Sequence, residues 1–363
     1  MTSASANQSI WVSACQQSFA WPHLRSMLSP LSLSSPSSPR FLQRFWPQFS
    51  RAFAAVATAA TATTVTGLGC RGAPAKPISA NLEKPGVEKP RIEKPRVESP
   101  KQVADVGMPM LWRVNGDTGP SYLLGTIHLG VHTRELSPAV FEALATTTTF
   151  ISEANLSENI NPIEIAQLAT LPPGKDLETM IGEPDFGKLA GLMGLPTRDL
   201  RHLQPWSAYT SVLQQLYPSE TSMDAILHNK ASIAGQRLVY LEDWHSQLAI
   251  LSEIIDSNDL KLILDPSSED RRLLDEVVAA YRRGDFPTLS TLISGPLAVA
   301  KDPAQFKLLF EDRNRAWLPL LVPHLRRGRT FVAVGAGHYV SSVGLLALLE
   351  KAGLPATRVG QQR

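Results

Sequence analysis

Cysteine is nearly missing from this chain. Of 363 residues only Cys15 and Cys70 are cysteine, and both precede the region whose pattern looks foldable. That region therefore has neither a disulfide framework nor a thiolate metal site, and any metal bound there must use nitrogen and oxygen ligands. Excess charge is missing too: 35 Lys and Arg face 33 Asp and Glu, a formal charge of +2. Basic runs such as Arg326-Arg-Gly-Arg329 are short turns, not the concentrated face of a nucleic-acid binder, so no nucleic-acid partner is expected. The chain has no Gly-x-Ser-x-Gly elbow and no Gly-Lys-Ser/Thr phosphate loop. Gly335-Ala-Gly-His-Tyr-Val340 approaches a dinucleotide fingerprint, but Val340 stands where the third glycine is needed, so no nucleotide is expected.

Residues 1–52 are rich in Ser and Pro and too long for an ordinary basic leader. From Phe53 to Gly69 the chain is small and apolar, preceded by Arg40, Arg44 and Arg51 and ending at Cys70. A basic flank, an apolar stretch and small residues are the marks of a secretory signal. Gly67-Leu-Gly-Cys70 resembles a bacterial lipobox, with the leucine one place too near the cysteine. Export to the bacterial periplasm or cell envelope and lipidation at Cys70 are the expectations, with Met27 a candidate translation start. A five-residue repeat follows, at Glu83-Lys-Pro, Glu88-Lys-Pro, Glu93-Lys-Pro and Glu98-Ser-Pro. Alternating charge with regular proline favours an extended, disordered spacer. The expected organisation is an N-terminal extension and signal segment over 1–70, a linker over 71–109 and one α/β domain over 110–363.

Within that domain the pattern predicts a central β-sheet flanked by helices. Met110–Val114 and Tyr122–Ile127 flank Asn115-Gly-Asp-Thr-Gly119, a hairpin signal. Strands are expected from Thr149, from Arg237 and over Thr330–Val334, with a closing strand over Ala356–Val359. Helical pattern fills 138–145, much of 162–230 and 243–323, and 343–352.

Two of the strands end in the same device. Tyr122-Leu-Leu-Gly-Thr-Ile-His128 and Phe331-Val-Ala-Val-Gly-Ala-Gly-His338 each deliver a Gly-x-x-His to the point where the chain leaves the sheet. In open α/β sheets the carboxyl ends of the strands are where ligands bind. Glu153 and Glu242 follow strands in the same way, and neighbouring strands would bring all four to one rim. Asp224 sits where a helix begins and reads equally as a cap or a ligand. Glu153 and Glu242 also read as helix caps, and His132 and His245 as surface residues. Imidazole and carboxylate suit Zn, Mn, Co or Fe, and a carboxylate that does not ligate can act as general base.

The ordered set Leu124-Gly-Thr-Ile-His-Leu-Gly130, Ile151-Ser-Glu153, Leu203-Gln-Pro-Trp206, Met223-Asp224, Leu241-Glu242 with Gln247, Gly284-Asp285, Arg313-Asn314, Val334-Gly-Ala-Gly-His338 and Gly344-Leu-Leu resembles the TraB/PrgY/GumN family. That family includes the Tiki-type membrane metalloproteases. The resemblance covers residues 110–363 and departs at Ser341, where a glycine is usual. It implies an erythromycin-esterase/ChaN-like core, with His128, Glu153 and His338 in metal binding or catalysis and Arg313 and Asn314 supporting the site. The leading expectation is an exported, lipid-anchored, metal-dependent hydrolase (Mn, Co or Zn), a peptidase acting on a peptide or protein. Relatives that use histidine as a base without metal keep a metal-independent esterase open. A non-catalytic lipoprotein that binds a peptide or envelope component is the third reading.

If Cys70 carries a lipid, Cys70→Ser moves the protein from the membrane fraction to the soluble fraction. An unchanged distribution, or mass spectrometry without an acyl group, rejects lipidation.

Overall fold

The computed structural model describes residues 108–155, 161–219 and 221–360. The signal-like segment, Cys70 and the repeat lie outside the described residues. The domain is built on a six-stranded sheet: β1 (Leu111–Gly116), β2 (Gly119–Thr126), β3 (Thr149–Ser152), β4 (Arg237–Tyr240), β5 (Thr330–Gly335) and β6 (Ala356–Arg358). Their order across the sheet is β4-β3-β5-β2-β1-β6. Strands β4, β3, β5 and β2 run parallel, whereas β1 pairs antiparallel with both β2 and β6.

Each strand follows from its residues. In β5, Phe331, Val332, Ala333 and Val334 are buried in succession. Consecutive burial means that both faces are covered, as a central parallel strand requires. Phe150 of β3 stacks on Phe331 in the paired register, with ring centroids 6.1 Å apart. The hairpin is tighter than the sequence suggests, because Gly116 pairs with Gly119. Only Asp117 and Thr118 remain in the turn, so β2 begins three residues before Tyr122. The last helix, Leu345–Lys351, starts later than expected because Gly344 occupies its N-cap.

Between β3 and β4 lies a helical excursion that includes Pro205–Leu216 and ends with Met223–Ile233. Part of it forms a second cluster: Ile165, Ala169 and Trp206 pack with Ala154, Trp244 and Leu248. This cluster begins one residue beyond Glu153, so the excursion grows directly from the rim of the sheet. Among the described residues no helix is long and apolar enough to cross a membrane.

The helix Glu269–Arg282 anchors the end of β2. The Tyr281 hydroxyl donates to the Gly125 carbonyl at 2.7 Å inside the core, and Arg282 donates to the Gly130 carbonyl. The segment between them carries His128. Tyr281→Phe leaves the buried Gly125 carbonyl without that donor and should cost about 1–3 kcal/mol. Chemical denaturation measures it, and an unchanged midpoint would show that the tether carries no stability.

Candidate functional site

The two Gly-x-x-His motifs are built against each other. Strands β2 and β5 are neighbours, with Gly125 opposite Val334 and Thr126 opposite Gly335. A Cβ on Gly125 would meet Cα and Cβ of Ala336, both at 3.1 Å. A Cβ on Gly335 would meet Glu153 Oε1 at 3.3 Å, His338 Cδ2 at 3.7 Å and His128 Nε2 at 3.8 Å. The first glycine thus lets the second motif approach, and the second leaves an open floor among three candidate residues.

His128 forms one half of the site. Its Nδ1 lies 2.9 Å from Asp224 Oδ2, and Thr126 donates its hydroxyl to Asp224 Oδ1 at 2.7 Å. The carboxylate fixes Nδ1 as the protonated nitrogen and directs Nε2 over Gly335. Asp224 is not the cap of its helix. Ser222 is, accepting from the Ala225 amide, which leaves the Asp224 carboxylate for His128.

Arg313 organises the other half. It lies in Asp312–Arg327, directly after the π-helical turn Lys307–Glu311. Nε donates to Glu242 Oε2 at 3.1 Å, and Nη2 donates to Glu242 Oε1 at 2.6 Å and Glu153 Oε2 at 2.7 Å. Nη1 donates to the Leu309 carbonyl and to His338 Nε2, each at 3.1 Å. A guanidinium can only donate, so His338 Nε2 is the acceptor. His338 Nδ1 then donates to Asn314 Oδ1 at 2.8 Å, while Asn314 Nδ2 donates to the His338 and Val343 carbonyls. Glu153 is completed by the Gly335 amide at 2.7 Å and Gln247 Nε2 at 3.0 Å.

The two histidines therefore hold opposite charge states. For His128 burial disfavours the charged ring, but Asp224 outweighs it and, with Glu153, pushes the pKa up to about 9. Its side chain is 47% exposed, so solvent relieves part of the burial cost. For His338 burial and the neighbouring guanidinium act together and push the pKa down to about 3. Its 3.9 Å approach to Glu153 Oε1 is thus not an ion pair. Burial would raise Glu153, but Arg313, His128 and the Gly335 amide bring it down to about 2. Burial moves Glu242 upward against the pull of Arg313.

A divalent metal is the cofactor that the family resemblance implies, and the donor chemistry at this rim is of the right kind. The arrangement does not fit one, because Arg313 occupies the lone pair of His338, both oxygens of Glu242 and one oxygen of Glu153. Among the described residues no three His, Cys, Asp or Glu side chains stand close enough together to hold an ion.

All the residues proposed from the sequence within the domain lie at this rim: His128 with Asp224, and Glu153, Glu242, His338, Arg313 and Asn314 around the guanidinium. His245 lies apart, against Glu164 and Asp243, and His132 is half-buried on the Glu135 turn. Sequence reasoning missed Thr126 as the partner of Asp224, although it lies inside the first motif. It also missed the aromatic packing of His338, on which Trp317 lies 4.3 Å and Phe310 5.3 Å between ring centroids. Only the i, i+4 spacing of Arg313 and Trp317 hinted at it.

These charge states set a pH window. The elevated pKa of His128 gives stability that is complete below about 6.5 and lost as pH rises toward 9. Neutral His338 gives stability that is lost as pH falls from about 6.5 toward 3, and Glu153 adds to that loss between about 4.5 and 2. Stability from this site should peak near pH 6.5. Imidazole NMR should show His128 titrating well above 6.5 and Asp224→Asn returning it toward that value. A His128 pKa that Asp224→Asn leaves unchanged would exclude the dyad as its cause.

No curated protein and no solved structure matches the chain. The family model described as TraB/PrgY/gumN matches residues 110–358. That span contains every strand of the sheet and both histidine motifs, and the chain belongs to the TraB/PrgY/gumN family.

Proposed function

We propose that this protein is a hydrolase of acyl bonds in which His128 is the acid–base group and Asp224 holds it. The observation that carries this reading is the asymmetry of the His128 ring. Nδ1 is committed to Asp224, whereas Nε2 has no hydrogen-bond partner among the described residues and faces the floor at Gly335. A base so oriented takes a proton from water as it attacks a carbonyl, and returns it to the leaving oxygen or nitrogen. His338 is unsuited to that role, because both of its nitrogens are engaged. Gly335 leaves room for the scissile group, and the buried Arg313 pairs fix the wall opposite. The substrate is a peptide, protein or ester of the cell envelope. Export and anchoring through Cys70 belong to the same proposal and are supported by the segment before Cys70.

The test is hydrolysis of peptide and ester libraries by the purified protein, with and without chelator. Activity should survive chelation, and kcat/KM should climb with pH toward the elevated His128 pKa. His128→Ala should lose about 10²–10⁴-fold, and Asp224→Asn should move the pH limb downward at reduced rate. Activity abolished by chelator and restored by Mn²⁺, Co²⁺ or Zn²⁺ would reject this mechanism and support the metal-dependent peptidase. No hydrolysis with either library would favour the binding lipoprotein.

A further inference from the structure

The end of the sheet opposite the histidines carries positive charge without counter-charge. Four segments meet there: the hairpin turn 116–119 and the approaches to β3 (141–149), β4 (230–237) and β5 (324–330). Main-chain bonds lock them together. The Asp117 and Thr118 amides donate to the Arg326 and Arg327 carbonyls at 2.7 and 2.9 Å. The Thr148 amide donates to the Arg329 carbonyl at 2.8 Å, and the Arg237 amide to the Thr148 carbonyl at 2.9 Å. Gln236 Nε2 adds bonds to the Leu144 and Thr147 carbonyls. The segments hold five exposed cations, Lys230, Arg237, Arg326, Arg327 and Arg329, against two exposed carboxylates, Asp117 and Glu142. Among the described residues none of the five is in an ion pair. Arg326 donates to the Ala352 carbonyl at 3.0 Å. Burial, and then the charges of Arg237 and Arg327, push the His324 pKa down, so this histidine stays neutral.

Ile233 ends its helix beside these cations and is 87% exposed. An exposed isoleucine alone is ordinary. Flanked by unpaired lysine and arginine, it has the composition of a membrane-surface contact, an apolar tip with basic residues around it. We propose that this end of the domain docks on an anionic lipid surface, with Lys230, Arg237, Arg327 and Arg329 on headgroup phosphates and Ile233 at the acyl boundary. A nucleic-acid backbone would satisfy the arginines but offers Ile233 no apolar medium, whereas a bilayer supplies both. Strands β2, β3, β4 and β5 all run from this end to the rim. Docking therefore turns His128 and His338 away from the bilayer, and the site opens to the aqueous side. The proposal concerns this face alone and stands apart from the hydrolase reading.

The experiment measures co-sedimentation with vesicles of phosphatidylcholine alone, or of phosphatidylcholine and phosphatidylglycerol in equal parts. It uses the full-length chain with Cys70→Ser, so that no acyl group contributes. This parent should prefer the anionic vesicles, and the preference should fade as salt rises past ~0.1 M, where the screening length is about 10 Å. Combining Arg237→Gln, Arg327→Gln and Arg329→Asn should cost about a hundredfold in affinity for anionic vesicles and remove most of the salt dependence. Asparagine is chosen at 329 because Arg329 has φ 53°, which asparagine tolerates. Ile233→Ser should weaken binding and leave the salt dependence in place. These side chains are exposed, so thermal melting should stay at the parent value. Hydrogen exchange locates the contact: amides of 233–237 and 326–329 should slow on anionic vesicles, and those of 335–341 should not. Where the apolar segment 53–69 holds every variant on vesicles, exchange decides. Parent-like binding by the triple variant without slowed exchange in these segments overturns the proposal. Tighter binding to duplex DNA than to anionic vesicles, lost in the triple variant, overturns it too and assigns the face to nucleic-acid phosphates.

Discussion

The buried guanidinium of Arg313 ties together the ends of three adjacent parallel strands. Glu242 follows β4, Glu153 follows β3 and His338 follows β5, and one side chain donates to all of them. A charge at this depth is tolerated only if it is paired and fully hydrogen-bonded, and here every donor has an acceptor. The arrangement imposes conditions in return. Glu153 and Glu242 must stay close, His338 must keep its Nε2 lone pair free, and Asn314 must hold the opposite ring nitrogen. The rim owes its order to these mutual requirements.

The same charge separates the two histidines that the sequence presents as equivalent. His338 lies beside the guanidinium, buried among Trp317 and Phe310, and is held neutral. His128 lies beyond the Gly335 floor, paired with Asp224 and partly open to solvent, and is held protonated. Two copies of one motif thereby provide a fixed acceptor and a mobile proton. Pushing paired titratable groups in opposite directions is how a site divides acid and base roles at one pH.

The glycines explain why the motif is duplicated. Gly125 gives way to Ala336, and Gly335 gives way to Glu153 and both imidazoles. Each motif is therefore part of the packing environment of the other. Strands β2 and β5 must be neighbours for either glycine to matter, and the connection between them contains most of the helical structure of the domain.

The sequence by itself determined the sheet strands, the α/β class, the family and the residues at the strand ends. Continuous apolar runs such as Phe331–Val334, and glycine followed by histidine, are local signals that burial and chain geometry force upon any strand ending at a ligand-bearing rim. Tertiary structure decided what those residues do to one another. Asp224 read equally as cap or ligand until Ser222 took the cap and left its carboxylate to His128. Arg313 read as a supporting residue until its fork met two glutamates and an imidazole delivered by three strands. The opposed charge states of His128 and His338 depend on distances of a few ångströms between residues far apart in the chain. Electrostatic energies vary steeply over such distances, and no local pattern encodes them.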